Sequence, residues 1–216
     1  MKFDFNIYLY VLTALNLSKG RQNDFIVKEA IAGGADVIQL WDKELTAKER
    51  LEEAIKIRNI TRENNVPLLI NDRVDLAMAA DADGVHLGQD DLPLKYARRL
   101  LGDNKIIGIS IQTLEQALKA ENEGADYIAV SAIFSTPTKP DAVPLGLDFI
   151  GNIKENVSIP VITIGGIKKD NVSMIAKAGA DCIAVVSAVV AADNVKMAAK
   201  ELKKTFLAAR RTGGEG

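Results

Sequence analysis

With 216 residues, 48% of them apolar and mostly aliphatic, the chain can fill one core, and no run of Pro, Ser or like charges splits it; residues 1–209 are expected as one domain and 210–216 as a disordered tail. A formal charge of −2 and a pI near 5.6, with acids and bases mixed along the chain, leave no basic stripe for nucleic acid. No apolar run is long enough to span a bilayer and Met1 to Leu9 carries no signal-peptide core, so a cytoplasmic protein without a membrane partner is expected.

In chain order, strands are expected at Ile7 to Leu12, Val37 to Leu40, Leu68 to Ile70, Gly84 to Leu87, Ile106 to Ile109, Tyr127 to Val130, Val161 to Ile164 and Cys182 to Val186. The last contains the single cysteine, which reads as a buried structural thiol. Between the strands, apolar residues recur at three- and four-residue spacing, as over Ala47 to Asn64, Thr113 to Glu123 and Asn171 to Ala178, which predicts helices. The unit Gly-Ala-Asp followed by a β-branched or aromatic run occurs at Gly34, Gly124 and Gly179, with Asp83-Gly84-Val85-His86-Leu87 as a looser copy. Glycine ends a helix in the left-handed conformation and the following Asp turns the chain into a strand, so each unit marks a helix-to-strand junction. Strict alternation of eight such strands with helices predicts a single α/β domain, a (β/α)8 TIM barrel. A doubly wound open sheet would carry a Gly-rich turn after its first strand, and Thr13-Ala14-Leu15-Asn16-Leu17-Ser18 has none.

Barrel active sites form at the carboxyl ends of the strands, and this chain concentrates polar residues there. Gln39, Trp41, Asp42 and Lys43 follow the second strand, Asn71, Asp72 and Arg73 the third, His86, Gly88, Gln89, Asp90 and Asp91 the fourth, and Ser110 ends the fifth. Asp72 and Asp91, at adjacent strand mouths, suit a shared Mg²⁺ completed by water and phosphate oxygens; Asp72 also suits the cap of the helix starting near Arg73, and Asp90 or Asp91 that of the one starting near Pro93, and sequence leaves both readings standing. Gly165-Gly166 after the seventh strand and Val186-Ser187 after the eighth lie where barrels hold a phosphate on backbone N–H groups. Lys139, with Thr136 and Thr138 beside it in the proline-rich segment Ser135 to Pro144, is placed to meet a second phosphate group. His86, the one histidine, reads as a hydrogen-bonded interior residue rather than a base.

The ordered set Gln39-Leu40-Trp41-Asp42-Lys43, Asn71-Asp72, His86-Leu87-Gly88-Gln89-Asp90-Asp91-Leu92, Gly108-Ile109-Ser110, Thr136-Pro137-Thr138-Lys139, Gly165-Gly166-Ile167 and Val186-Ser187 resembles the thiamine phosphate synthase family over nearly the whole barrel. The resemblance implies a Mg²⁺-dependent transferase that joins hydroxymethylpyrimidine diphosphate to hydroxyethylthiazole phosphate and releases pyrophosphate. It implies Asp72 and Asp91 as metal ligands, and Ser110, Lys43 and Lys139 as catalytic. Gln39, Lys43, Asn71, Ser110 and Lys139 would hold the pyrimidine diphosphate, and Thr136, Thr138, Gly166, Val186 and Ser187 the thiazole phosphate. Leu40, Trp41, Asp42 and Pro137 fall within the same substrate-binding segments. Two positions depart from the family pattern: Trp41 stands where Arg is usual, and Ser131-Ala132 where a Gly-Pro pair is common. A thiazole tautomerase of the same fold, or a phosphate-binding barrel without activity, are the alternatives. The expected partners are the two small-molecule substrates, and a homo-oligomer is compatible with the sequence.

Overall fold

A computed structural model describes residues 6–42, 44–138 and 141–213. Eight short runs of buried residues form the strands β1 (Leu9–Leu12), β2 (Val37–Leu40), β3 (Leu68–Asn71), β4 (Gly84–Leu87), β5 (Ile106–Ile111), β6 (Tyr127–Ser131), β7 (Val161–Ile164) and β8 (Cys182–Val185). Each pairs in parallel with its neighbours in sequence, and β8 returns to β1, so the sheet is a closed barrel. The expected (β/α)8 architecture is the one found. The helices are α1 (Asn23–Ala32), α2 (Ala47–Glu63), α3 (Val74–Ala79), α4 (Leu94–Leu101), α5 (Leu114–Asn122), α6 (Asp148–Asn156), α7 (Val172–Lys177), a short α8 (Ser187–Val190) and α9 (Val195–Gly213). Among the described residues no helix is long and apolar enough to cross a membrane.

Alternation along the strands divides the core in two. Side chains such as Leu40, Ile70, Val85 and Val130 point outward and pack under the helices, while Tyr10, Leu12, Leu69, Tyr127, Ile162 and Ala184 fill the barrel interior. Gly108 has a defined part in that interior, because a Cβ there would lie 1.9 Å from the Tyr127 ring carbon Cζ. Its missing side chain is the space Tyr127 occupies.

The recurring Gly-Ala-Asp unit proves to be a fourfold clamp at the amino-terminal end of the barrel. Gly34, Gly124 and Gly179 take φ values of 99°, 87° and 94°, and Asp81 fills the corresponding place in the looser copy with φ 48°. The Ala that follows donates its N–H five residues back, as Ala35 to the Ala30 carbonyl and Ala82 to the Ala77 carbonyl, both at 2.9 Å, which closes the helix end. The Asp then reaches to the preceding strand. Asp36 accepts from Leu9 N at 3.0 Å, Asp83 from Leu68 N at 2.8 Å, Asp126 from Ile107 N at 2.7 Å and Asp181 from Val161 N at 2.8 Å. A cation from a helix binds each carboxylate: Lys203, Arg58, Arg98 and Lys154 respectively. Each even strand is thereby tied to the odd strand before it and to the helical layer.

Two expectations are corrected. The first strand begins at Leu9, not Ile7, since β8 pairs from Leu9 onward. The tail does not open at Arg210: α9 continues to Gly213, and Arg210 donates to the Asp181 carbonyl at 2.6 Å and lies over the Tyr8 and Phe206 rings. These contacts are sufficient to hold the helix against the barrel; residues 214–216 lie outside the described part.

Candidate active site

The carboxyl ends of the strands enclose a cavity of about 530 Å³. Its floor is aromatic and aliphatic, from Tyr10, Leu12, Tyr127, Ala129, Ile162 and Ala184, and its rim carries the polar residues. The carboxylates of Asp72 and Asp91 lie at the β3 and β4 mouths, four strands away from Gly166, Val186 and Ser187 at the β7 and β8 mouths. In a closed ring of eight strands these two groups face each other across the opening, with Ser110 on β5 and the β6 loop between them.

The residues preceding α3 and α4 are Arg73 and Pro93, and neither gives its helix a side-chain cap. Asp91 accepts from Gly88 N at 2.6 Å, which folds the β4 loop into a turn that holds the carboxylate at the cavity. Asp72 has φ 62°, with its N–H given to the His86 carbonyl at 2.8 Å, so the backbone turns sharply at the strand end. Among the described residues no group of three or more His, Cys, Asp or Glu is clustered for a metal. A pair of carboxylates with space beside it suits Mg²⁺, which keeps water and takes substrate phosphate oxygens as its remaining ligands. The described wall also contains Asp90 and neither Lys nor Arg.

Gln39 and Asn71 lie side by side in the cavity wall, Gln39 Nε2 donating to Asn71 Oδ1 at 2.7 Å. Gly165 and Gly166 have φ 105° and 65°, and a Cβ on either would lie within 2.6 Å of Ala132 Cβ or the Ser135 carbonyl oxygen. Only glycine lets the β6 loop pack on this turn. Asn171 fixes it further, donating to the Gly166 carbonyl at 2.9 Å and accepting from Lys168 N at 2.8 Å. Thr136 and Thr138 line the wall beside it.

Of the residues expected at the site, Gln39, Trp41, Asn71, Asp72, Asp91, Ser110, Thr136, Thr138, Gly166, Val186 and Ser187 meet at this cavity. Leu40 does not, because strand alternation turns it outward from Gln39 into the layer beneath the helices, fully buried. Asp42 is also displaced from it. Its carboxylate accepts from Thr13 Oγ1 at 2.5 Å, Leu15 N at 2.5 Å and Asn23 Nδ2 at 3.0 Å, so it organises the loop after β1 beside Trp41. Pro137 is exposed between two threonines that line the wall. Lys43 and Lys139 lie outside the described residues.

His86 is buried as expected, with Nδ1 2.8 Å from Tyr127 Oη and Nε2 2.8 Å from Ser110 Oγ, its ring stacked on Tyr127 at 5.6 Å. Tyr127 Oη is in turn 3.2 Å from Tyr10 Oη. Sequence reasoning missed both tyrosines. The available signal was an inward-facing Tyr on β6 opposite Gly108, its register partner on β5. Burial raises the ionisation of both phenols above the ordinary range, so they stay protonated.

The sequence profile of the family described as thiamine monophosphate synthase matches residues 9–189. The chain belongs to this family. Among thiamine monophosphate synthase relatives, the thiamine-phosphate synthase of Chloroflexus aurantiacus is 52% identical over 90% of both chains. That of Alkaliphilus oremlandii is 50% identical over 92% of this chain and 95% of its own. The solved structure of thiamine phosphate pyrophosphorylase from Pyrococcus furiosus superposes with a TM-score of 0.87 at 42% identity, covering 94% of this chain and 96% of that one.

Proposed function

We propose that this chain is a transferase that condenses 4-amino-2-methyl-5-hydroxymethylpyrimidine diphosphate with hydroxyethylthiazole phosphate, giving thiamine phosphate and pyrophosphate. The observation that carries the reading is the two-ended cavity: a carboxylate pair at β3 and β4 and a glycine-lined amide turn at β7, with an apolar floor between them. That arrangement offers separate seats for two anionic groups and one space where their organic parts meet. The similarity to thiamine-phosphate synthases over nearly the full chain supports it independently.

In this reading Asp72 and Asp91 hold Mg²⁺, which when bound neutralises the diphosphate. Gln39, Asn71, Ser110, Lys43 and Lys139 hold the pyrimidine diphosphate, while Thr136, Thr138, Gly166, Val186 and Ser187 hold the thiazole phosphate. The bond between the pyrimidine methylene carbon and the diphosphate oxygen breaks, and its electron pair leaves on the diphosphate. The thiazole nitrogen supplies its lone pair to that carbon, forming the C–N bond and a thiazolium. No protein nucleophile takes part, so catalysis consists of alignment within the walled cavity and hydrogen-bond donation to the departing oxygens by Ser110 and Asn71. The test is pyrophosphate release with both substrates, with and without Mg²⁺. Release that needs both substrates and the metal is expected. No release, or turnover of the thiazole phosphate alone, would overturn the assignment.

A further inference from the structure

Ser110 ends a file of four hydroxyl and imidazole groups that runs from the barrel floor to the cavity: Tyr10 Oη, Tyr127 Oη, the His86 ring and Ser110 Oγ, joined by contacts of 3.2, 2.8 and 2.8 Å. Tyr10 and Tyr127 are 2% and 1% exposed. Each link needs one donor and one acceptor, and a neutral imidazole donates from only one ring nitrogen. Two directions are therefore available to the whole file. In the inward direction Ser110 donates to His86 Nε2, Nδ1–H donates to Tyr127, and Tyr127 donates to Tyr10. The Tyr10 proton then meets at the floor the apolar Leu12, Ile162 and Ala184 and the Cys182 sulfur, a weak acceptor. In the outward direction Tyr10 donates to Tyr127, Tyr127 to His86 Nδ1, and His86 Nε2–H to the Ser110 oxygen. Each buried proton of the file then meets the next group's oxygen or nitrogen, and the proton of Ser110 is released toward the cavity. A buried hydroxyl that exchanges an oxygen acceptor for a weak sulfur one loses part of a hydrogen bond, which favours the outward direction.

We infer that Tyr10, Tyr127 and His86 form a one-way hydrogen-bond relay that turns the Ser110 hydroxyl outward as a donor to the departing diphosphate. The inference rests on the reaction proposed above. His86, Tyr127 and Tyr10 are positioning residues in this relay, since they act through Ser110 or through one another. The relay does two things to the serine. It fills the Ser110 lone pair that faces His86, so the O–H bond cannot turn back to the ring, and it polarises that O–H along a chain of aligned bonds. A donor aligned before the charge appears strengthens as negative charge grows on the leaving oxygen, so the effect falls on turnover rather than on binding of the ground state. Gly108 belongs to the device as well, because its absent side chain makes room for the Tyr127 ring.

His86 is the one histidine in the chain, so a ¹⁵N-histidine-labelled, tag-free protein gives one pair of ring-nitrogen signals. In mildly alkaline buffer, above the ordinary imidazole range, the substrate-free protein should show Nε2 protonated and Nδ1 bare. Tyr127→Phe removes the donor to Nδ1 and should leave a mixture of tautomers. Its kcat should fall about threefold to tenfold, the worth of one hydrogen bond, with KM for both substrates within about twofold. Tyr10→Phe, one link further away, should lower kcat less and in the same sense, and it decides the matter if Tyr127→Phe does not fold. His86→Gln, which keeps an N–H near the Nε2 position, should retain more turnover than His86→Leu. A role confined to stability would lower the melting temperature of these variants and leave the kcat of the folded protein unchanged. An Nδ1–H tautomer in an active wild type, or phenylalanine variants that raise KM at constant kcat, would overturn the relay. A wild type that releases no pyrophosphate would overturn the proposed reaction and the relay's catalytic part together, whatever the tautomer.

Discussion

At φ 62° Asp72 holds a conformation that costs an ordinary L-residue roughly 1–2 kcal/mol, although Asp tolerates it better than most. The turn sets its carboxylate in the cavity wall, and Asp91 is held beside the same cavity by the Gly88 N–H. Asp72→Ala and Asp91→Ala are expected to lower Mg²⁺-dependent turnover by about hundredfold or more, because a bound cation supplies several kcal/mol of charge neutralisation. Turnover titrated against Mg²⁺, alongside urea unfolding of each variant, checks this. A variant that lost only about 1 kcal/mol of stability, the worth of a cap, and kept its metal dependence would remove the ligand assignment. Trp41 makes a different case. It lines the wall after β2 and packs on both the inner and the outer core, at the position where the resemblance led to the expectation of Arg. Trp41→Arg should tighten the pyrimidine diphosphate by roughly tenfold to a hundredfold, the worth of a charge-assisted bidentate contact, and leave the thiazole phosphate nearly unchanged. Calorimetric titration of each substrate would show it. Equal or weaker diphosphate binding would mean that the wall is shaped around the indole.

The elements show how far the sequence could be read. Periodicity located all eight strands and placed α2 and α5 within a residue or two, because each is a run of one dominant period bounded by a clear signal such as the Thr46 capping box or the Thr113 cap. The Gly-Ala-Asp repeat was legible as a junction, yet the function of its Asp was not. A carboxylate that reaches across to another strand and to a distant helix has partners separated by as many as 167 residues, and no local pattern reports that. Leu40 and Asp42 failed at the site for a related reason: a motif groups neighbours in sequence, whereas a strand end sends successive side chains to opposite faces. The clamp itself is testable. Asp126→Asn keeps the shape and an acceptor for Ile107 N but loses the charge that pairs with Arg98, both side chains being about three-quarters buried. The expected loss is about 1–3 kcal/mol, read as a lower urea midpoint at unchanged slope, with kcat and KM of the wild type. A change in turnover larger than about twofold would show that the two ends of the barrel are coupled, since the clamp lies at the end opposite the cavity.

Across the whole molecule the barrel divides its tasks between its ends: ion-paired clamps close the amino-terminal face, and the carboxyl-terminal face leaves an open cavity whose described rim carries Asp72, Asp90 and Asp91 without a Lys or Arg. That imbalance makes a prediction about the folded state as a unit. A ligand that binds only the native barrel stabilises all of it, by about 2.7 kcal/mol at a concentration a hundred times its Kd. In a domain of this size each kcal/mol raises Tm by roughly 2–4 °C, so a saturating diphosphate should raise it by about 5–11 °C. On the proposed metal assignment the carboxylates disfavour a bare diphosphate, and a bound cation would make the site accept it. The pyrimidine diphosphate should therefore raise Tm in the presence of Mg²⁺ and shift it by less than about 2 °C when the metal is chelated. The thiazole phosphate, seated on amides across the cavity, should give the same shift in both conditions. Thermal unfolding with each substrate, with Mg²⁺ and with a chelator, gives the four measurements. Equal stabilisation by the diphosphate with and without the metal would show that its seat does not depend on the cation, and Asp72 and Asp91 would then need another role.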